Sequence, residues 1–286
     1  MLCCMVRNTP KALALGARLR AVREAKEPKQ SQRDVAKKLG INSSVMSRFE
    51  SGERPPGPED VAAILAVLGV NGAERDEIVD LARDTGGTSW LAVSLPDQRA
   101  QLAALLDFEQ MATRIVDVAP LLIPGLLQSA SYARAIMREG DVPNDEVETR
   151  VAVRVGRRDI LTRSEPTELL ALVGEHALRA MIGSPLVMAE QMEHLLKMAA
   201  LPNVDLRVVP VDSPWHPGLE GPFVVLSSAS TSLVHLENRR SGLFLQDDDD
   251  LAAYQEAVEK ELSVALDAEQ TAALIAREAE RIKRLA

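Results

Sequence analysis

The 286-residue sequence predicts a mainly α-helical protein, an all-α N-terminal domain followed by an α+β domain with a small sheet. Three observations carry that prediction. Aromatic residues make up only 3% of a chain rich in Ala and Leu, a composition that favours helix over strand. Apolar residues in the N-terminal part recur at helical spacing. Short β-branched runs appear only further along, set among helical stretches. An apolar content of 46% beside 26% charged residues is that of a globular chain with a sizeable core.

The helices of the N-terminal part follow in order. From Lys11, residues Leu15, Leu19 and Val22 recur at i, i+4, i+7 with Arg18, Arg20 and Arg23 between them, and Pro28 supplies the stop. Ser31 is placed to cap a helix over 32–39 whose inward side is Val35, Ala36 and Leu39. Gly40 supplies the left-handed exit and Ile41 a buried turn residue. Asn42 or Ser43 then caps a second short helix, running to about Ser51 and facing inward through Val45 and Phe49. Gly52 ends it, and Pro55-Pro56-Gly57-Pro58 forbids helix until Glu59. Val61, Ile64, Leu65 and Leu68 form the next stripe, closed by Gly69. Ile78, Val79 and Ala82 mark one more helix, fading at Gly86-Gly87.

These patterns divide the chain into a tail (1–11), a helical domain (12–85), a linker (86–96) anchored by Trp90, and a second domain (97–286). The second domain opens with a helix over 97–113, apolar through Leu102, Leu105, Leu106 and Met111. A strand at 115–118, a helix bearing Tyr132 and an Arg-rich helix over 146–162 follow. Strands are expected at 169–173, 204–209, 223–226, 232–237 and 242–245, with helices over 185–199, 251–266 and 268–285.

A short helix, a turn with Gly and a second capped helix have the geometry of a helix-turn-helix, with Ala36 at the crossing. The outward positions of the second helix are Ser43, Ser44, Ser47 and Arg48. They offer short polar groups and a forked cation at its N-terminal end, which is what reading base edges requires. The overall net charge of −9 argues against a nucleic-acid partner until it is divided. Residues 1–58 hold 12 basic and 5 acidic side chains, and residues 59–286 hold 21 and 37. The reading helix sits in the basic segment.

The run from Ser31 to Pro55, Ser-Gln-Arg-Asp-Val-Ala-Lys-Lys-Leu-Gly-Ile-Asn-Ser-Ser-Val-Met-Ser-Arg-Phe-Glu-Ser-Gly-Glu-Arg-Pro, resembles the phage-repressor and Cro type of helix-turn-helix, the xenobiotic-response-element (XRE) regulators. The resemblance covers roughly 12–70 and implies a lambda-repressor-like all-α fold. It implies that Gln32 holds a phosphate and that Asn42, Ser43, Ser44, Ser47 and Arg48 lie at the DNA. Arg54 would meet the backbone beyond the helix, and Arg23 with Glu50 would form a structural ion pair. The segment Lys26-Glu-Pro-Lys-Gln-Ser is about two residues longer than the usual connection in such domains. Further along, Val118-Ala-Pro-Leu-Leu-Ile-Pro-Gly-Leu-Leu-Gln-Ser-Ala-Ser-Tyr-Ala-Arg-Ala, Arg154-Val-Gly-Arg-Arg-Asp-Ile-Leu, Leu201-Pro-Asn-Val-Asp-Leu-Arg-Val-Val-Pro, Gly221-Pro-Phe and Leu236-Glu-Asn resemble a domain of unknown function (DUF5753-like) of actinobacterial regulators. That resemblance spans about 100–275. It implies a developmental regulator, often encoded beside a small acidic partner protein, and it supplies no reaction.

Catalytic constellations are missing from the sequence: no phosphate loop, no His-Glu-x-x-His, no nucleophile elbow and no spaced cysteines. Cys3 and Cys4 are adjacent in the tail and match no zinc spacing. Glu190 with His194 supplies two ligands, which do not make a metal site, and reads as a solvated pair. Asp247–Asp250 reads as the acidic N-terminus of the helix that follows. The loop holding Trp215, His216 and Phe223 is either a ligand or partner contact or an ordinary connection whose Trp covers the core. Arg150, Arg154, Arg157 and Arg158 fall on about one side of their helix. They suit an acidic partner or the domain's own acids equally.

The expected function is a cytoplasmic, non-enzymatic, sequence-specific regulator of transcription. It would bind double-stranded DNA as a homodimer through helix 43–51, under control of the C-terminal domain, without metal, cofactor or membrane. A small-molecule ligand stays open. The alternative is an antitoxin-like interaction protein that binds a small neighbour and tunes its own operon. The charge division generates one test. In a mobility-shift assay at low salt, fragment 1–85 should bind random duplex DNA more tightly than the whole chain, because the acidic remainder repels phosphate. Equal or weaker binding by the fragment would remove the electrostatic argument.

Overall fold

The computed structural model describes residues 9–83, 85–92, 95–229, 231–239 and 241–285; Cys3 and Cys4 lie outside them. Helices α1 (Pro10–Glu24), α2 (Gln32–Leu39), α3 (Ser43–Glu50), α4 (Pro58–Val67) and α5 (Gly72–Leu81) come first, followed by strand β1 (Ser89–Ala92) and helix α6 (Leu95–Met111). Strand β2 (Arg114–Ala119) precedes α7 (Ala130–Glu139) and α8 (Asn144–Gly156). Strand β3 (Glu168–Gly174), α9 (Glu175–Arg179), α10 (Pro185–Ala199) and β4 (Val204–Val209) follow. The chain continues through β5 (Phe223–Ser227), β6 (Ser232–Asn238), β7 (Ser241–Leu245), α11 (Asp248–Val264) and α12 (Ala268–Lys283). Among the described residues no helix is long and apolar enough to cross a membrane. The chain is mainly helical, with an α+β C-terminal part, as its composition and spacing predict.

The described residues pack as two units, one of residues up to Met111 with Thr231–Leu251, the other within Ala112–Ser230 and Ala252–Ala286. This partition by contact differs from the division by motif at 12–85, 86–96 and 97–286, because α6, β6 and β7 pack with the first unit. In that unit β7 lies between β1 and β6, antiparallel to both. The stretch read as a linker therefore holds a strand. It is only four residues long, too short for alternation to show. Trp90 is buried as expected, and its ring lies 5.8 Å from Phe244, which also meets Phe108 edge-on at 5.3 Å.

That aromatic cluster sets the rotation of α6. The helix buries Gln101, Ala104, Leu105, Phe108 and Glu109. Leu102 and Met111, expected on the apolar side, are 51% and 38% exposed. Phe108 reaches Phe244, and the Gln101 amide donates to the Trp90 carbonyl at 2.6 Å, so a polar residue lies inward where a leucine stripe was expected. A buried amide is tolerated because its donor is satisfied.

In the second unit the strands run β5-β2-β3-β4, with β2, β3 and β4 parallel and β5 antiparallel to β2. Strand β3 reads Leu169-Leu-Ala-Leu-Val173 and every one of these residues is buried, the continuous apolar run of a parallel strand covered on both faces. Helices α10 and α12 pack on β4 and on each other. The Arg-rich helix ends earlier than predicted. After Gly156 the chain tightens into a 3-10 turn, Arg157–Leu161, which buries Ile160 and Leu161. Tyr132, expected on a helix face, is fully buried.

On α10, His194 is half-buried rather than solvated, and its Nε2 has no hydrogen-bond partner. Burial, with the positive charges of Arg158 and Lys197, lowers its pKa from 6.5 to about 4. The folded protein thus keeps His194 neutral where the unfolded chain takes up a proton. This contribution to stability is fully present above pH 6.5 and is lost as pH falls from 6.5 towards 4, by up to about 3 kcal/mol. In thermal melts between pH 7 and pH 4.5, His194→Gln should lose less stability than the wild type. Identical pH dependence in the two proteins would contradict the assignment.

Candidate nucleic-acid interface

Helix α2 begins in a capping box: the Ser31 hydroxyl accepts from the Asp34 N–H at 3.2 Å, and the Asp34 carboxylate accepts from the Ser31 N–H at 3.1 Å. It ends at Gly40, whose φ of 69° is the left-handed turn that glycine adopts without strain. Asn42 is the N-cap of α3, its Oδ1 accepting from the Ser44 N–H at 3.0 Å and from the Ser44 hydroxyl at 3.1 Å. The cap sets the phase of the helix. Met46, Phe49 and Glu50 then share the inward side at i, i+3, i+4 and are buried. Val45, expected inward, is half-buried because it lies about 100° of rotation from Met46. Leu39 and Ile41 are likewise only half-buried, whereas Val35 and Ala36 are buried at the α2–α3 contact.

Glu50 ties the motif together. Arg23 of α1 donates to its two carboxylate oxygens at 2.6 Å through Nε and 2.8 Å through Nη2. The hydrogen bonds that Arg23 donates to Glu50 outweigh the burial of Arg23 and raise the guanidinium pKa above its ordinary value. Arg23 also donates to the Gln30 carbonyl at 3.0 Å, tying down the segment before α2. Gln32 donates to the same carboxylate at 2.7 Å, so the side chain expected to hold a phosphate is already bound to the inner face of α3. Arg20, whose side chain is exposed, stands 3.9 Å from the same carboxylate.

The outward face is as the spacing predicts: Asn42, Ser43, Ser44, Ser47 and Arg48 are all exposed. Arg48 is partly oriented by its Nε, which donates to the Ser44 carbonyl at 3.3 Å. Arg54 is exposed beyond the helix, its guanidinium 6.0 Å from the Phe49 ring centroid and its N–H bonded to the Arg48 carbonyl. Arg33, Lys37 and Lys38 on α2 are also exposed. The arrangement presents short hydroxyls and a guanidinium along the outward face of a rigidly seated helix.

One residue of the scaffold goes unnoticed in the spacing pattern. A Cβ at Gly16 of α1 would lie 2.7 Å from the carbonyl oxygens of both Phe49 and Glu50. Only glycine lets α1 approach the end of α3 that closely. A glycine inside a helical pattern is the signal that marks it.

The residues singled out in the second unit do not form one surface. Trp215 is exposed, His216 is buried with its Nδ1 2.9 Å from Glu261, and Phe223 is buried against Tyr254 in an edge-on contact. Arg150 pairs with Glu146, Arg154 donates to the Gln128 side chain, and Arg158 donates to the Gln128 carbonyl. Asp248, Asp249 and Asp250 occupy the first turn of α11, where negative charge meets the positive end of the helix dipole.

Two family models match the chain. One, described as Domain of unknown function (DUF5753), matches residues 102–277, more than half of the chain; the other, described as Helix-turn-helix domain, matches residues 14–78. No curated protein matches it.

The close approach at Gly16 gives a stability test. Ala in a helix interior ordinarily gains up to about 1 kcal/mol over Gly, but here the added methyl must push two helices apart. Gly16→Ala should lower stability by about 1–3 kcal/mol in denaturant unfolding. A neutral or stabilised variant would show that the contact is looser than described.

Proposed function

The chain belongs to the DUF5753 family and carries a helix-turn-helix domain ahead of that region, and from this premise we propose that it is a transcriptional regulator that reads duplex DNA with α3. The observation that carries the reading is the division of α3. Its inner side is fixed by Met46, Phe49 and the Glu50 hub, while Ser43, Ser44, Ser47 and Arg48 stand free of the core. A recognition helix must be rigidly held yet expose its N-terminal side chains to the major groove. Arg48 is the side chain that can bond a guanine in two places, and the serines make shorter-range contacts. Arg54, Arg33, Lys37 and Lys38 supply the sequence-independent attraction to phosphate.

In this reading the protein is an XRE-type regulator working in the cytoplasm of an actinobacterium. It acts as a homodimer, because one α3 reads only a half-site. The DUF5753 region controls the DNA reader, and the activity is recognition rather than catalysis. Gln32 acts first by holding Glu50 and thereby α3; the second hydrogen of its amide remains for a phosphate. Arg150, Arg154 and Arg158 already have partners within the chain, which favours the domain's own groups over a small acidic partner protein as their role.

The test begins with duplexes selected from a random library by the full-length protein. Arg48→Ala should weaken the best of them about 10- to 100-fold in a mobility shift, with a smaller effect on random DNA. Gln32→Ala should weaken both classes together. If neither substitution reduces binding, α3 is not the reading helix.

A further inference from the structure

The carboxyl ends of the three parallel strands converge on a cavity of about 160 Å³. Its walls include Gly174 and Val209, the last residues of β3 and β4, together with Leu121, Val211, His216 and Leu219. Crevices outside the carboxyl ends of parallel strands are where open α/β sheets bind ligands, because the backbone diverges there. We propose that this cavity binds a small neutral ligand whose apolar part is the size of one ring and whose head donates a hydrogen bond to His216.

Three features carry the proposal. The first is size, since a cavity of about 150 Å³ accommodates benzene. The second is the imidazole. Its Nδ1 lies 2.9 Å from a Glu261 oxygen that also accepts from the Gly218 N–H at 2.9 Å. A carboxylate cannot donate, so the hydrogen sits on Nδ1 and Nε2 of the neutral ring is an acceptor. His216 itself lines the cavity, which places its imidazole within reach of a small molecule there. The arrangement is built tightly: a Cβ at Gly218 would collide with Glu261, and one at Gly174 would collide with the Pro120 carbonyl.

The third feature is the balance of charge and apolarity. Glu175, also in the wall, is bonded to Arg179 and to the Val211 N–H, so its charge is paired. No Lys or Arg is among the lining residues and Glu261 stands behind His216, which disfavours an anionic head. At the mouth Leu121, Val211 and Leu219 are 65%, 52% and 63% exposed, and Trp215, next to His216 in the chain, is 64% exposed. Such a rim suits the apolar remainder of a ligand and has no use in an empty connection.

Phenol, anisole and benzoate test the proposal on the full-length protein, read by calorimetry and ligand-observed NMR, with no DNA in the experiment. Failure here therefore leaves the DNA-reading assignment untouched, and the reverse holds as well. Phenol should bind saturably with a Kd on the order of 1 mM, as expected for a ring-sized fragment. Anisole, which has the ring but no donor, should bind roughly tenfold more weakly, and benzoate weaker still. His216→Asn keeps a donor towards Glu261 and deletes the Nε2 acceptor, so phenol should fall to the level of anisole. Val211→Trp, at a position that is 52% exposed, should fill the mouth and abolish binding of both, even if His216→Asn is unstable. Equal binding of phenol and anisole by the wild type, or phenol binding that survives Val211→Trp, would overturn the proposal. So would the absence of saturation at roughly ten times the expected Kd.

Discussion

The helix-turn-helix part of the molecule is organised around one buried carboxylate, that of Glu50, and around the need to satisfy it. Its side chain is removed from solvent, where an unpaired charge costs several kcal/mol. Arg23 answers it with two hydrogen bonds from α1, and Gln32 adds a third from α2. Each of these partners belongs to a different helix, so satisfying one charge fixes the relative placement of three. Because the geometry is bidentate, it constrains rotation as well as distance. The exposed serines and Arg48 on the opposite side of α3 inherit that placement. An ion pair in the core thus fixes the placement of side chains that it does not touch.

The second unit shows the same economy with a different result. Glu261 is buried and is satisfied by His216 and the Gly218 N–H, which aims an imidazole into the cavity at the ends of the parallel strands. In the same wall, Glu175 is bonded to Arg179 and to the Val211 N–H. Two carboxylates in one neighbourhood are therefore unequal: one only stabilises the wall, the other orients a group that can still bond. His194 is the contrasting case of a half-buried titratable group whose Nε2 has no hydrogen-bond partner, held neutral by desolvation and by Arg158.

Much of the candidate interface was legible in the sequence because its signals are local. The Ser31 cap, the Gly40 exit, the Asn42 cap and the Gly52 stop each concern bonds within a few residues. Once the cap positions are known, the outward residues of α3 follow by counting. Legibility failed wherever the deciding contact comes from far along the chain. The face that α6 buries depends on Phe244, more than a hundred residues later, and a leucine count placed it wrongly. Strand β1 is recognisable only by its pairing with β7, since four residues carry no usable alternation. The inward turn of Met46 in place of Val45 is the smallest instance, a matter of one residue's rotation.

Composition and spacing by themselves determined that the chain is mainly helical, that its basic charge gathers in the N-terminal segment, and that one short capped helix presents Ser43, Ser44, Ser47 and Arg48 outward. Periodicity and capping are properties of neighbouring residues, so they survive being read without a fold. Tertiary structure alone decided that Gln32 bonds Glu50, that α1 needs a glycine at position 16, that the arginines of α8 and the turn after it bond Gln128, and that His216 and Glu261 meet. Each of these is a contact between groups distant in sequence. Its energy depends on separation and burial, and neither exists until the chain has closed on itself.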